Sequence, residues 1–194
     1  MRRFAFTAMC LLALSLPSTA DNRIYNPENG HYYLVVANSS GISWTDAQSA
    51  AVAAGGYLAT VTSSSENEFI FNLAQQNDTV WGSYAGWMLG PWLGGYQQTG
   101  STEPDGGWRW VTDEPFTYTN WAPIAFDMGI AHLQDRVQMS GMNNIKGSTW
   151  DDNGCDTPQH GYVIEWNAVP EPSSLLALAC GFGALGCIRR RRKS

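Results

Sequence analysis

Cysteine is scarce in this chain, and what there is cannot cross-link its centre. Of Cys10, Cys155, Cys180 and Cys187, three fall in apolar segments at the two ends, so the central region keeps Cys155 alone. An internal disulfide is excluded there even in an oxidising compartment. Cys155 is either a buried thiol or the site of an intermolecular bridge. Basic residues are equally rare between positions 21 and 168, where Arg23, Arg109, Arg136 and Lys146 face sixteen acidic residues. Nucleic-acid binding relies on clustered Lys and Arg, so such a partner is disfavoured. Catalytic patterns are missing too: His31, His132 and His160 form no HExxH, no serine sits in a GxSxG elbow, and Cys155 has no adjacent base. Paired carboxylates are commonplace in so acidic a chain and do not by themselves mark a hydrolase. The chain is not expected to be an enzyme.

What is present begins with the two ends. Met1, Arg2 and Arg3 precede an apolar run from Phe4 to Leu16 and a small-residue stretch ending at Ala20, the order of a secretory signal peptide over residues 1–20. At the other end Pro170, Glu171 and Pro172 lead into an apolar run from Ser173 to Ile188 and a block of Arg189, Arg190, Arg191, Arg192 and Lys193. That run has sixteen residues, against the roughly 20 an apolar helix needs to span hydrocarbon, so it crosses a membrane only marginally. The cationic block would stay on the cytoplasmic side. This three-part tail, residues 169–194, resembles a PEP-CTERM sorting signal. The resemblance implies export, recognition and cleavage by an exosortase, and a cell-envelope or extracellular location with a transient or permanent C-terminal membrane anchor.

Between the ends lie 148 residues, enough for one domain with one core. All nine tryptophans fall in this region, and their bulk predicts a rigid aromatic core more than a sugar-stacking surface. His31–Val36 reads as a strand. Ser43 with Asp46 three residues later starts a helix through Ala54 that Gly55 and Gly56 stop. Ser65 with Glu68 starts a second, carrying Phe69, Ile70 and Leu73 and fading near Gln76. From Gly82 the texture changes to short aromatic pieces between Gly, Pro, Asn and Asp, which predicts short strands in long loops. Tyr162–Trp166 reads as a closing strand. The order gives an α+β class, with first and last strands paired.

Several segments in this order resemble a C-type lectin-like domain: WTDAQSAAVAAGGYLATVTSSSENEFI its two-helix half, WLGGY its WIGL strand, GGWRWVTDEPFTYTNW the strand and loop leading to its binding region, TWDD its WND motif and GYVIEW its closing strand. The resemblance covers residues 31–166. It implies the family's fold, two helices with short antiparallel strands and a long irregular loop region. It also implies a calcium site whose ion coordinates sugar hydroxyls, which suits a cation taking roughly six to eight oxygen ligands. Carried over residue by residue, the ligands are Asp127, Gln134, Asp151 and Asp152, with Asp135 beside Gln134. Ala125 stands at the motif glutamate and offers no side-chain oxygen. Cys155 matches a family cysteine whose partner position is Arg136. Glu103, Pro104 and Asp105 imitate a sugar motif but precede Trp108, and Gly106 and Gly107 mark them as a turn.

The expectation is therefore an exported binding module for glycan or exopolysaccharide at the cell surface or in a biofilm matrix, with calcium assistance open. The alternative is a structural or protein-binding matrix component that uses neither sugar nor calcium.

Overall fold

The computed structural model describes residues 22–104, 106–123 and 134–168. The expected signal peptide, the sorting residues Pro170, Glu171 and Pro172 with their apolar run, and Asp105, Ala125, Asp127 and His132 all lie outside the described residues. Among the described residues no helix is long and apolar enough to cross a membrane.

The chain opens with β1 (Ile24–Tyr25) and the long β2 (Tyr32–Ile42). Next come α1 (Trp44–Ala53), β3 (Tyr57–Leu58), α2 (Ser64–Ala74) and a short 3-10 turn (Asp78–Val80). The strands β4 (Gly82–Tyr84), β5 (Trp87–Gln97), β6 (Trp108–Trp110), β7 (Arg136–Gly141), β8 (Thr149–Asn153) and β9 (Gln159–Trp166) complete it. They form one sheet in the order β1-β2-β9-β5-β7-β8, with β3 added to β9 and with β4 and β6 added to β5. The strands read at His31–Val36 and Tyr162–Trp166 do pair: as β2 and β9 they run antiparallel from Tyr32 opposite Trp166 to Ala37 opposite Gly161. The α+β class is as expected.

Each helix follows from its cap and its apolar stripe. The Ser43 hydroxyl accepts from the Asp46 N–H at 3.1 Å and donates to the Asp46 carboxylate at 2.8 Å, satisfying an orphan donor of the first turn. Ala47 and Ala51, four apart on one face, are fully buried. Such small side chains let α1 approach the sheet, where it packs on Trp92, Tyr162, Ile164 and Trp166. Gly55, at φ +78°, ends it. The start of α2 corrects the sequence expectation. Ser63 rather than Ser65 is the cap, accepting from the Glu66 N–H at 3.2 Å, and the helix stops at Ala74, two residues before Gln76. Two overlapping Ser-x-x-Glu patterns compete here. The earlier wins because it turns Glu66 inward, where the carboxylate accepts from the Thr62 N–H at 2.7 Å.

A second correction concerns β5. The glycines and proline of WMLGPWLGGYQ suggest fragments, yet all eleven residues form the central strand. Pro91 is tolerated because the register with β7 shifts between Leu89 and Trp92, so no regular ladder bond is demanded of its missing N–H. Gly94 is required by proximity: a Cβ there would meet the Leu58 carbonyl oxygen at 2.4 Å.

The tryptophans build the core as expected. Trp92, Trp110 and Trp150 are fully buried, with Trp44, Trp81, Trp108 and Trp166 nearly so. The Trp44 and Trp92 indoles donate to the Leu93 and Ile42 carbonyls at 2.8 and 3.0 Å, so their polar edges are not stranded.

A hydrogen-bonded strut joins β2, β3, α2 and β9. Glu165 on β9 takes the Thr60 N–H at 2.8 Å on one oxygen, and His31 Nδ1 at 2.5 Å and the Tyr57 hydroxyl at 3.2 Å on the other. Glu66 accepts the Tyr33 hydroxyl at 2.6 Å. Burial, with the nearby Glu66 charge adding to it against the pull of the Thr60 N–H and His31, pushes the Glu165 carboxyl up from 4.5 to about 7. A raised folded value means that the contribution is complete below the unfolded value of about 4.5 and is lost as pH rises through about 7. The domain should therefore melt at higher temperature at pH 5 than at pH 8, by an amount on the order of 3 kcal/mol of stability. Glu165→Gln should flatten that dependence. Circular dichroism melts across this range check it, and a melting temperature that climbs toward pH 8 would refute it.

Candidate functional site

The candidate site is built on β8. Alternation along this strand puts Trp150 and Asp152 on its buried side and leaves Thr149, Asp151 and Asn153 half-buried. Trp150 fixes what surrounds it. Its indole N–H donates to the Asn67 side-chain oxygen at 2.7 Å, its backbone N–H to the Asn120 carbonyl at 2.8 Å, and its own carbonyl takes the Ala122 N–H at 2.8 Å. Trp121 thereby forms a bridge beside Trp150, and Asn120 and Asn67 both donate to the Ser148 carbonyl, at 2.8 and 2.9 Å. On the far side of residues 124–133, the Asp135 N–H donates to the Asn153 carbonyl at 3.1 Å. The segment that carries Asp127 thus leaves and rejoins the described fold alongside β8.

Asp151 and Asp152 are adjacent in sequence but leave the strand on opposite faces. Asp152, 2 % exposed, lies opposite Val137 of the core, whereas Asp151 lies opposite Gln138. Burial, and then the Asp152 charge, push the Asp151 carboxyl up to about 7. The Gln138 amide makes no hydrogen bond of normal geometry, and is close enough only to ease that rise. Gln134 is half-buried just ahead of β7. The structure thus sets Gln134 just ahead of β7 and Asp151 and Asp152 on opposite faces of the paired strand β8, and Asp127 lies outside the described residues. As donor chemistry the set suits a hard cation, since every member offers a side-chain oxygen.

Asp135 is committed elsewhere. Its carboxylate lies 2.7 Å from Arg136 Nη1, which also donates to the Asp135 carbonyl at 2.8 Å. The Arg136 guanidinium stacks over Trp44 at 4.7 Å and Tyr96 at 5.9 Å. Arg136 thus fills the position that the resemblance assigns to a cysteine partner. Cys155 is a free, half-buried thiol. Its pKa is pushed up by burial and then by Asp156 and Asp135, which disfavours the thiolate. Its carbonyl accepts the Trp44 N–H at 2.9 Å.

Beyond Asp135 a cleft of about 380 Å³ is lined by Gln97, Gln98, Thr99, Gly100 and Asp135. The expected turn is its neighbour: Glu103 accepts the Gln97 amide at 2.9 Å and the Pro104 carbonyl takes the Trp108 indole N–H at 3.2 Å. Glu103 and Pro104 hold the hairpin rather than a ligand.

One cluster was invisible to motif reading. His31, Glu66 and Glu165 bring their ligand atoms within 4.8 Å of one another. Metal binding there is opposed by hydrogen-bond saturation. Glu66 accepts from Asn29 at 2.9 Å and Tyr33 at 2.6 Å on one oxygen, and from the Thr62 N–H at 2.7 Å and hydroxyl at 3.0 Å on the other. Those four bonds use the roughly four acceptor positions of a carboxylate. The cluster is a structural strut, and only the pairing of Tyr33 with Glu165 across β2 and β9 could have signalled it.

Residues 40–163 match the family model for the Lectin C-type domain, and residues 168–193 match the PEP-CTERM protein-sorting motif. The C-type lectin lectoxin-Lio1 of Erythrolamprus poecilogyrus is 30 % identical over 166 residues, covering 82 % of this chain and 91 % of that protein. Among solved structures, the C-type lectin CEL-I from Cucumaria echinata superposes with a TM-score of 0.57 at 21 % identity, over 76 % of this chain and 96 % of its own. A calcium-independent type II antifreeze protein does so with a TM-score of 0.55 at 21 % identity, over 82 % and 100 %. The likeness to both structures extends to the fold alone. With its paired β2 and β9, its two capped helices and its Trp150-centred loop seat, the chain belongs to the C-type lectin domain family and ends in a PEP-CTERM sorting motif.

Proposed function

We propose that this is an exported, non-catalytic binding module that recognises glycan or exopolysaccharide through Asp127, Gln134, Asp151 and Asp152, with calcium as the bridging ion. One observation carries this reading: residues 120–122 are hydrogen-bonded to Trp150 and Asp135 to Asn153, which ties both ends of the Asp127 segment to the strand bearing Asp151 and Asp152. When bound, calcium would supply open coordination positions for sugar hydroxyls. The protein's own part is to hold its oxygens in place, and Trp150 does this from below. A second reading, a structural or protein-binding component of the extracellular matrix, is favoured by the burial of Asp152 on the core side and by Ala125 at the motif position.

A glycan array probed with and without calcium separates the two. On the first reading Asp151→Asn lowers calcium affinity and glycan signal by about tenfold or more, since it removes a charged ligand. Metal ligands bind deprotonated and Asp151 titrates at about 7, so calcium uptake releases a proton and weakens as pH falls below that value. Calorimetry showing no heat with calcium and an array silent in both conditions would leave the scaffold reading.

The tail directs this module through the membrane-associated export route, where an exosortase would remove it. Mass spectrometry of the mature protein should then find no Arg189–Lys193 block. An intact C-terminal Ser194 in the mature protein would refute processing.

A further inference from the structure

We propose that the cleft between the β5–β6 hairpin and the start of β7 is a second ligand subsite, one that takes a neutral polyhydroxylated molecule such as a sugar residue without any metal. The inference extends the glycan-binding reading above by adding a subsite to it. The cleft, at about 380 Å³, falls in the size range of small-molecule sites, roughly 300–1,000 Å³. Its lining is Gln97, Gln98, Thr99, Gly100 and Asp135, and neither Asp151 nor Asp152 contributes to it.

The chemistry of this lining is that of hydroxyl recognition. The Asp135 carboxylate accepts from sugar hydroxyls, and the Gln98 amide and Thr99 hydroxyl both donate and accept. Among the described residues no cation lines the cleft, so this lining favours a neutral group over an anionic one.

Two features make the wall pre-organised rather than a chance dent, and pre-organisation lowers the entropy lost on binding. Gln97 is 5 % exposed, and its amide N–H groups are committed to Glu103 at 2.9 Å and to the Gly106 carbonyl at 2.9 Å. Its backbone N–H donates to the Asp135 carbonyl at 2.9 Å, which ties the two sides of the cleft together. Asp135 is fixed in turn by Arg136, held at 2.7 Å and itself clamped against Trp44 and Tyr96. Gln98 and Thr99 are exposed at the rim, where a ligand can reach them.

The test is isothermal titration of the full chain with maltohexaose, cellohexaose and chitohexaose, each in a metal chelator. Binding of at least one probe is expected, weakened about tenfold by Asp135→Asn through loss of a charge-assisted hydrogen bond. It should also be weakened by Gln98→Ala and Thr99→Val, exposed changes that leave the Asp135–Arg136 pair intact, and be indifferent to Asp151→Asn. Absence of heat with all three probes in chelator overturns the subsite, as does chelator-resistant binding that none of the three cleft variants alters. Binding that appears only with calcium and is lost in Asp151→Asn also overturns it, and leaves the calcium-bridged reading standing.

Discussion

Trp150 is held at its backbone N–H, its carbonyl and its indole N–H, and the arrangement of the binding region depends on that seat. Its ring meets Trp110 edge-on at 5.5 Å, Trp121 at 5.7 Å and Tyr118 at 5.6 Å. A tryptophan buries roughly 150–250 Å², which at about 25 cal/mol per Å² is on the order of 5 kcal/mol. That is a large share of a typical domain's net stability of about 5–15 kcal/mol. Because the same residue fastens α2 through Asn67 and the loop through Asn120 and Ala122, its burial also sets the geometry of Asp151 and Asp152, which follow it on β8. Core stability and site placement are here one constraint.

The lack of a disulfide has its counterpart in Arg136. A disulfide contributes about 2–4 kcal/mol, chiefly by restricting the unfolded chain, and no cation–π contact matches it alone, at about 0.5–2 kcal/mol. Arg136 adds instead a set of directed contacts in the folded state: Asp135 as ion pair, and Trp44 and Tyr96 as stacked walls. It thereby joins the beginning of α1, the central strand and β7. The nearby Cys155 carbonyl adds a bond to the Trp44 N–H, so the region that the cross-link would have closed is closed by hydrogen bonds and packing around the same tryptophan.

How far the sequence reveals all this depends on the range of the interaction. Ser43 and Asp46 were legible because capping acts across three residues, and the β2–β9 pairing because both strands are rich in β-branched and aromatic residues. Ser63 was passed over for Ser65 because local spacing cannot decide between overlapping Ser-x-x-Glu patterns. The tertiary need to bury Glu66 against Thr62 and Tyr33 decides it. β5 defeated pattern reading because Gly90, Gly94 and Gly95 usually break strands, whereas here they admit neighbouring backbone and side chains. The family motif located Asp151 and Asp152 but not their opposite faces, which follow from strand alternation once TWDD is known to lie within β8 rather than at its end. His31, Glu66 and Glu165 meet only through the folded sheet, so no spacing could announce them.

The charge balance carries one further step. Three of the four cations between residues 21 and 168 are engaged within the fold: Arg23 stacks over Tyr32 and Trp166, Arg136 clamps Asp135, and Lys146 pairs with Asp78. The acidic residues greatly outnumber them, and among the candidate site residues none is cationic. A polyanionic polymer approaching that region would meet net repulsion, screened only over distances of about 8–10 Å at ordinary ionic strength. Two kinds of glycan contact escape the penalty. One is a neutral polymer read by hydroxyl hydrogen bonds, as the Gln97–Asp135 cleft is equipped to do. The other is contact mediated by a divalent ion that first neutralises Asp151 and its neighbours, relieving both the burial of the Asp151 carboxyl and its repulsion by Asp152.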